Sequence, residues 1–386
     1  MTWEIRQGHV LDVLKAMPAE SVHCCITSPP YWGLRAYGTE PQVWGGDLEC
    51  PHNWRDEDPA AINPGRHSPT TGVGEYGQVG DGLVKQAITP ASTCLSCGAW
   101  RGELGSEPTI ALFIAHLMQV FDEVRRVLRS DGTCWVNLGD SYAGSGKGPG
   151  GEKQLTNAGS EGGRRNNGQF QTTEVKPKDL CLIPERFALA MQDAGWWVRS
   201  RIAWAKTSAM PESVTDRPTS AWEHIWLFSK SARYYYDAAA VREPNSAITI
   251  ERHQGKPARI SNTAINSDPA ACPPGVNRLH QGSLNVNGDD GRLNGANQRN
   301  YWLLGPDPYP ESHFATFPRE IPKRCILAGS PLGGTVLDPF VGSGTTLFVA
   351  EEQGRDSIGI ELQPEYVKLA EKRMRSARTP LPGLLS

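Results

Sequence analysis

The sequence predicts an α/β protein built on a doubly wound, mostly parallel sheet. Three observations predict it. An apolar run, Val22 to Ile26, ends in TSPPYWG, a strand stopped by two prolines that neither donate to a sheet nor continue a helix. Near the other end, TVLDPFVGSGTT (335–346) reads as a strand, a glycine turn and the start of a helix, and SIGIEL followed by PEYVKLAEKRMR repeats that order. Between these blocks helical and strand-like segments alternate, the pattern of a parallel sheet covered by helices.

Taken in order, the first strand spans roughly 22–27, and Pro29-Pro30 stiffen the loop that projects Tyr31 and Trp32 from its carboxyl end. Residues 33 to 107 are rich in Gly and Pro with few apolar positions. An irregular segment of that length needs a brace of its own. Ile110, Phe113, Ile114, Leu117, Phe121, Val124 and Leu128 recur at helical spacing, and the helix is expected to stop near SDG at 130–132. TCWVNLGD reads as a buried strand over 133–138, and residues 143–170 as a flexible Gly/Asn/Ser-rich stretch. DLCLIPERFALAMQDAG predicts a helix capped at Gly195, followed by the strands WWVRSRIAWAK and WEHIWLFSK. Residues 242–300 carry little core material. A helix near 318–329 leads into the glycine-turn strand, and the next helix runs from about 344 to 353.

The chain has 386 residues, 21% charged and 38% hydrophobic, within the range of a soluble globular protein. A net charge of −3 argues against a surface built everywhere to hold a polyanion and leaves room for a local basic cleft. No apolar run reaches the length of a membrane span, and MTWEIRQGHV lacks the pattern of a secretory signal. Nine cysteines without such a signal point to the reducing cytoplasm, where they are free thiols or metal ligands.

The glycine turn aims backbone N–H groups and a helix N-terminus at a ligand. Glu361 ends the following strand, where an acid binds ribose hydroxyls in nucleotide-binding α/β folds. The turn is neither GxGxxG nor a phosphate loop with its lysine, which disfavours NAD and ATP. A glycine turn alone is also what an ordinary strand–helix junction carries; the acid at the right distance favours binding.

SPPY at 28–31 and DPFVGSGTT at 338–346 together resemble the signatures of the S-adenosylmethionine-dependent DNA amino-methyltransferases, [D/N/S]PP[Y/F] and DPFxGSGTT. The catalytic motif comes first, as in the permuted β group. The resemblance covers most of 1–30, 108–142, 176–240 and 312–376. It implies a circularly permuted class I methyltransferase, a Rossmann-like seven-stranded sheet with zinc-binding and DNA-recognition insertions. The expected division is 1–32 with 108–241 as the catalytic half, 33–107 as an insertion with a zinc knuckle, 242–311 as target-recognition region, 312–376 as the cofactor half, and 377–386 as a tail. Asp338, Phe340, Gly342, Ser343, Gly344 and Thr345 would line the cofactor, and Glu361 would bind its ribose. HFATFP at 313–318 resembles the family's other cofactor motif, which makes His313, Phe314, Ala315 and Thr316 candidate contacts. Gly8-His9 stands where relatives often carry Gly-Asp.

An exocyclic amine conjugated with its ring is a poor nucleophile. Acceptors for its protons favour a pyramidal nitrogen and free the lone pair; Ser28 Oγ and the carbonyl of Pro29, fixed by Pro30, are candidates for this role. Tyr31 can stack on a planar base, which must be flipped out of a duplex to be reached. No cysteine nucleophile is needed, so Cys24 and Cys25 read as small buried hydrophobes. Serine at the first motif position resembles the N4-cytosine enzymes, with N6-adenine as the alternative.

Cys50 and His52, with Cys94 and Cys97 some forty residues later, have the spacing of a structural zinc site that would brace the 33–107 insertion; His67 is an alternative to His52. Arg242, Arg252, Lys256, Arg259, Arg278, Arg292 and Arg299 are candidates for reading DNA, with Arg164 and Arg165 in a loop that could close over it. Arg199, Arg201, Lys206 and Arg217 are candidates to extend the cleft. The implied partner is double-stranded DNA, with no membrane, in the cytoplasm of a bacterium or phage-infected cell. No nuclease motif is evident, so a standalone enzyme and one paired with a separate restriction enzyme both stay open. Methylation of RNA or protein, and an inactive zinc-braced nucleic-acid reader, are the competing readings. Motif order, Ser28 and unbroken motifs argue against them.

Overall fold

The computed structural model describes residues 1–33, 39–47, 49–55, 92–143, 174–209, 211–245, 295–305 and 317–377. Its elements are β1 (Trp3–Gln7), α1 (Val10–Ala16), β2 (Val22–Thr27), β3 (Gln42–Trp44), β4 (Trp100–Gly102), α2 (Ile110–Val127), β5 (Leu128–Leu138), α3 (Ile183–Asp193), β6 (Trp197–Lys206), β7 (Trp222–Ser229), β8 (Tyr301–Leu304), α4 (Glu320–Gly329), β9 (Thr335–Asp338), α5 (Thr345–Glu352), β10 (Asp356–Glu361) and α6 (Pro364–Ala377).

The main sheet has eight strands in the order β1-β10-β9-β2-β5-β7-β6-β8. This corrects the expected seven: YWLL of β8 adds an eighth, parallel to β6 with Trp204 opposite Trp302. β1, also unanticipated, pairs in parallel with β10, Trp3 opposite Ser357. Within this sheet antiparallel pairing is confined to β5–β7 and β6–β7, so the sheet is mixed and mostly parallel. Strands buried on both faces read as near-continuous apolar runs, as VHCCIT and WEHIWLFS do.

One face is covered by α1, α2 and α3, whose buried residues form a single core with Cys25, Val136 and Phe228. α4 and α5 cover the other face against Cys24, Trp135 and Val336. Adjacent cysteines thus serve opposite cores, because successive strand side chains alternate. α2 begins where Thr109 accepts from Leu112 N and Glu174 accepts from Ile110 N and Ala111 N, which satisfies donors that lack a helical partner. It ends at Val127, earlier than expected, and β5 begins at once at Leu128 and absorbs the SDG segment.

β2 and β9 lie side by side at the sheet centre. From β2 the chain winds toward β5, and from β9 toward β10 on the other side. Their carboxyl ends therefore flank a topological switch point, where open α/β sheets form their binding crevice. Ser28 and the glycine turn stand on its two sides.

Candidate active site

On the β9 side, Asp338 is 2% exposed and fully engaged. Oδ1 accepts from Thr27 Oγ1 at 2.7 Å and from Phe340 N at 3.1 Å, and Oδ2 from Thr346 Oγ1 at 2.6 Å. Burial pushes its carboxyl up to about 6, against the opposing pull of those donors. Asp338 thus shapes the turn from within. Glu361, half-buried at the end of β10, accepts from Gly342 N at 3.0 Å and Gln363 N at 2.9 Å. Burial raises its carboxyl as well.

Gly342 and Gly344 both have positive φ, +49° and +82°. A Cβ on Gly344 would stand 3.1 Å from Ala370 Cβ of α6, whereas one on Gly342 would meet nothing within 4 Å. Close packing therefore demands the second glycine, and open space lies beside the first. The hydroxyls of Ser343 and Thr345 are buried and receive the guanidinium of Arg373 at 3.4 and 2.9 Å. Arg373, on α6, was not foreseen; an arginine on the inner face of a helix was its available signal. His313, Phe314, Ala315 and Thr316 lie outside the described residues.

On the β2 side, Tyr31 lies against Gly139: a Cβ there would come within 2.4 Å of Tyr31 Cε2. The Tyr31 hydroxyl is 2.8 Å from Glu223 Oε2 and 2.9 Å from Asn137 Oδ1. Ser28 Oγ stands 3.4 Å from both Asn137 Oδ1 and Tyr31 Oη. Lys206 pairs with the other oxygen of Glu223. Asn137, Gly139 and Glu223 were not anticipated; a lone acid opening the otherwise apolar run of β7 was the signal for Glu223. Behind this loop, Gly33 N donates to the Gly105 carbonyl at 2.9 Å and Trp32 Nε1 to that of Glu107 at 2.9 Å. Cys24 and Cys25 are fully buried, and burial holds the Cys24 thiol at about 12, which leaves it inert.

The sequence-predicted metal ligands come together. Cys50, His52, Cys94 and Cys97 place their ligand atoms within 4.8 Å of one another. Cys50 Sγ lies 3.8 Å from Cys94 Sγ, and Cys97 Sγ 3.5 Å from His52 Nδ1. Tetrahedral zinc with ordinary bond lengths sets S···S at about 3.8 Å and S···N at about 3.6 Å. Burial works against a charged Cys94, yet the backbone N–H groups of Cys97, Ser96 and Asn53 with the His52 ring bring its thiol down to about 5. Gly46, φ +75°, passes so close that a Cβ would stand 2.8 Å from Cys97 Sγ. The cluster adjoins the antiparallel pair β3–β4, and Trp44 and Trp100 of that pair both stack on His116 of α2 with ring centroids 5.3 Å away. His67 lies outside the described residues.

Of the cationic candidates, Arg252, Lys256, Arg259, Arg278, Arg292, Arg164 and Arg165 lie outside the described residues. The others are engaged within the chain. Arg299 pairs with Glu243 at 2.7 Å, Arg217 with Glu212 at 2.6 Å, and Lys206 with Glu223. Arg199 donates to Tyr234 Oη, Arg242 to the Gly295 carbonyl, and Arg201 stands 3.9 Å from Glu185. A β-bridge between Glu243 and Ala296 joins the two ends of the segment between them. No described helix is long and apolar enough to cross a membrane.

A family model described as DNA methylase matches residues 22–372. The type II methyltransferase M.SmaI of Serratia marcescens is 32% identical over 372 residues, covering 96% of this chain and 90% of its own. M.XycI of Xanthomonas campestris pv. cyanopsidis, also a type II methyltransferase, is 33% identical over 369 residues, covering 96% and 86%. Among solved structures, the PvuII DNA methyltransferase (cytosine-N4-specific) superposes with a TM-score of 0.52 at 17% identity, over 100% of this chain and 89% of its own, a likeness of fold.

Proposed function

The chain belongs to the DNA methylase family, and from that premise we propose that it is a type II methyltransferase acting on the exocyclic N4 of a cytosine flipped out of double-stranded DNA. The observation that carries this reading is the pairing of SPPY and the glycine turn across one crevice, tied together by the Thr27–Asp338 hydrogen bond.

S-adenosylmethionine supplies a sulfonium methyl group. In the proposed site Glu361, with acceptor capacity left on both oxygens, holds ribose hydroxyls, and the open space beside Gly342 and Phe340 takes the rest of the cofactor. Asp338, Ser343, Gly344 and Thr345 keep the turn in shape. His313, Phe314, Ala315 and Thr316 join them on the strength of the motif resemblance. Ser28 Oγ and the Pro29 carbonyl would accept hydrogen bonds from the amine N–H groups and so free the nitrogen lone pair for attack; Pro30 fixes that carbonyl, and the Tyr31 ring sets the plane of the base. Such positioning supplies much of the acceleration when one nucleophile meets one fixed electrophile. Serine at position 28 supports cytosine over adenine.

The four-ligand cluster holds a structural zinc that braces residues 33–107. Four protein ligands leave no open coordination position, so the metal takes no part in transfer. Residues 242–311 are the target-recognition region, 1–32 with 108–241 the catalytic half, and 312–376 the cofactor half. The enzyme works on DNA in the cytoplasm of a bacterium or phage-infected cell.

Transfer of label from methyl-labelled S-adenosylmethionine tests the substrate class. With unmethylated DNA, RNA and total protein offered together, label is expected in DNA. Label only in RNA or protein overturns the reading.

A further inference from the structure

We propose that Glu223 is a positioning residue for the target-base side of this site, acting through Tyr31 and Asn137 and resting on the function proposed above. Its carboxylate is a pure acceptor, and three donors converge on it: Tyr31 Oη at 2.8 Å, Asn137 Nδ2 at 3.2 Å and Lys206, which balances its charge. Asn137 Nδ2 also donates to the His224 carbonyl at 3.0 Å. Both amide protons are then spent, Asn137 Oδ1 turns toward Tyr31 and Ser28, and the single Tyr31 hydroxyl proton is shared between Glu223 Oε2 and Asn137 Oδ1, 2.9 Å away.

The direction of the whole cluster follows from that one acceptor. Ser28 has only acceptors on its inner side, Asn137 Oδ1 and the Tyr31 oxygen, each at 3.4 Å, and these long contacts favour a proton turned inward. Its lone pairs are left facing outward, the state needed to receive an N–H from an exocyclic amine. Glu223 also fixes the tilt of the Tyr31 ring by holding its hydroxyl while Gly139 bounds the ring edge. A glutamine at 223 has the same shape but presents an NH2 group, which lets Asn137 and Tyr31 reverse and leaves Lys206 without its counter-charge.

The test compares Glu223→Gln, Tyr31→Phe and the double variant with the wild-type enzyme. Each single change is expected to lower kcat by about tenfold or more, the scale of one charge-assisted hydrogen bond, with cofactor affinity and the KM for DNA held within about threefold. The double variant should lose no more than the worse single one, because both changes remove the same contact. If Glu223→Gln does not fold, Tyr31→Phe carries the test, since it removes the hydroxyl through which Glu223 acts, and wild-type kcat in that variant overturns the inference. Wild-type kcat in folded Glu223→Gln, or losses that multiply in the double variant, overturns the inference while wild-type methylation upholds the function. Wild-type protein that methylates no DNA refutes the function and this inference together.

Discussion

Thr27 Oγ1 and Asp338 Oδ1, 311 positions apart in sequence, share a hydrogen bond of 2.7 Å. It joins the last residue of β2 to the last residue of β9, the two strands whose ends carry SPPY and the glycine turn. A chain that meets one motif near its start and the other near its end brings them together because β2 and β9 are neighbours in the sheet.

Asp338→Ala removes the acceptor for three donors and should abolish methyl transfer while the sheet persists, as checked by circular dichroism and product assay. Asp338→Asn tests the energetics. With its folded-state pKa raised to about 6, Asp338 takes up its proton earlier in the folded chain than in the unfolded one. Its contribution to stability is therefore lost as pH rises through roughly 4 to 6, and Asp338→Asn should gain on wild type by on the order of 2 kcal/mol between about pH 4 and 7. Denaturant unfolding without cofactor at both pH values measures it; parallel curves contradict the account.

Gly139→Ala would drive a methyl into the Tyr31 ring, where the Cβ would stand 2.4 Å from Cε2. The ring must shift by about an ångström, and kcat should fall by about a hundredfold with cofactor binding retained. Calorimetric titration of the cofactor alongside the transfer assay separates the two effects.

Gly342 and Gly344 should fail in different ways. Gly344→Ala combines φ +82° with a contact of 3.1 Å to Ala370 and should destabilise the protein by about 1–3 kcal/mol. Gly342→Ala meets no protein atom within 4 Å and costs about 1 kcal/mol of backbone strain, yet places a methyl in the proposed cofactor space. Its main effect should be weaker S-adenosylmethionine binding at a modest change in melting temperature.

Metal analysis of the purified protein should find zinc, and Cys94→Ser with Cys97→Ser should lose it. Chelation should open residues 33–107 to protease. Residues 105–107, just past β4, hold the backs of Tyr31, Trp32 and Gly33, so kcat should fall with the metal while cofactor binding persists. An unchanged protease pattern after verified metal removal would contradict the zinc brace.

The central strands and both motifs were legible because they are local and sharply punctuated. Prolines stop β2, glycines open the turn, and long apolar runs mark strands buried on both faces. β1 and β8 were not legible. WEIRQ alternates over only four residues, with two apolar positions, and YWLL is four residues at a sheet edge; both become strands through partners far away in sequence. The grouping of Cys50, His52, Cys94 and Cys97 could be read because CxxC and CxH spacing places side chains of one chemistry close together. Asn137, Glu223 and Arg373 could not, since a polar residue acquires such a role only when the fold supplies Tyr31, Ser28 or Thr345 opposite it.

The most direct measurement digests DNA treated with enzyme and S-adenosylmethionine to nucleosides and separates them by mass spectrometry. The account predicts N4-methylcytosine, formed by wild-type protein and absent with Tyr31→Ala. N6-methyladenine in its place would contradict the reading of Ser28, and no methylated nucleoside from protein that binds the cofactor would contradict the proposed reaction.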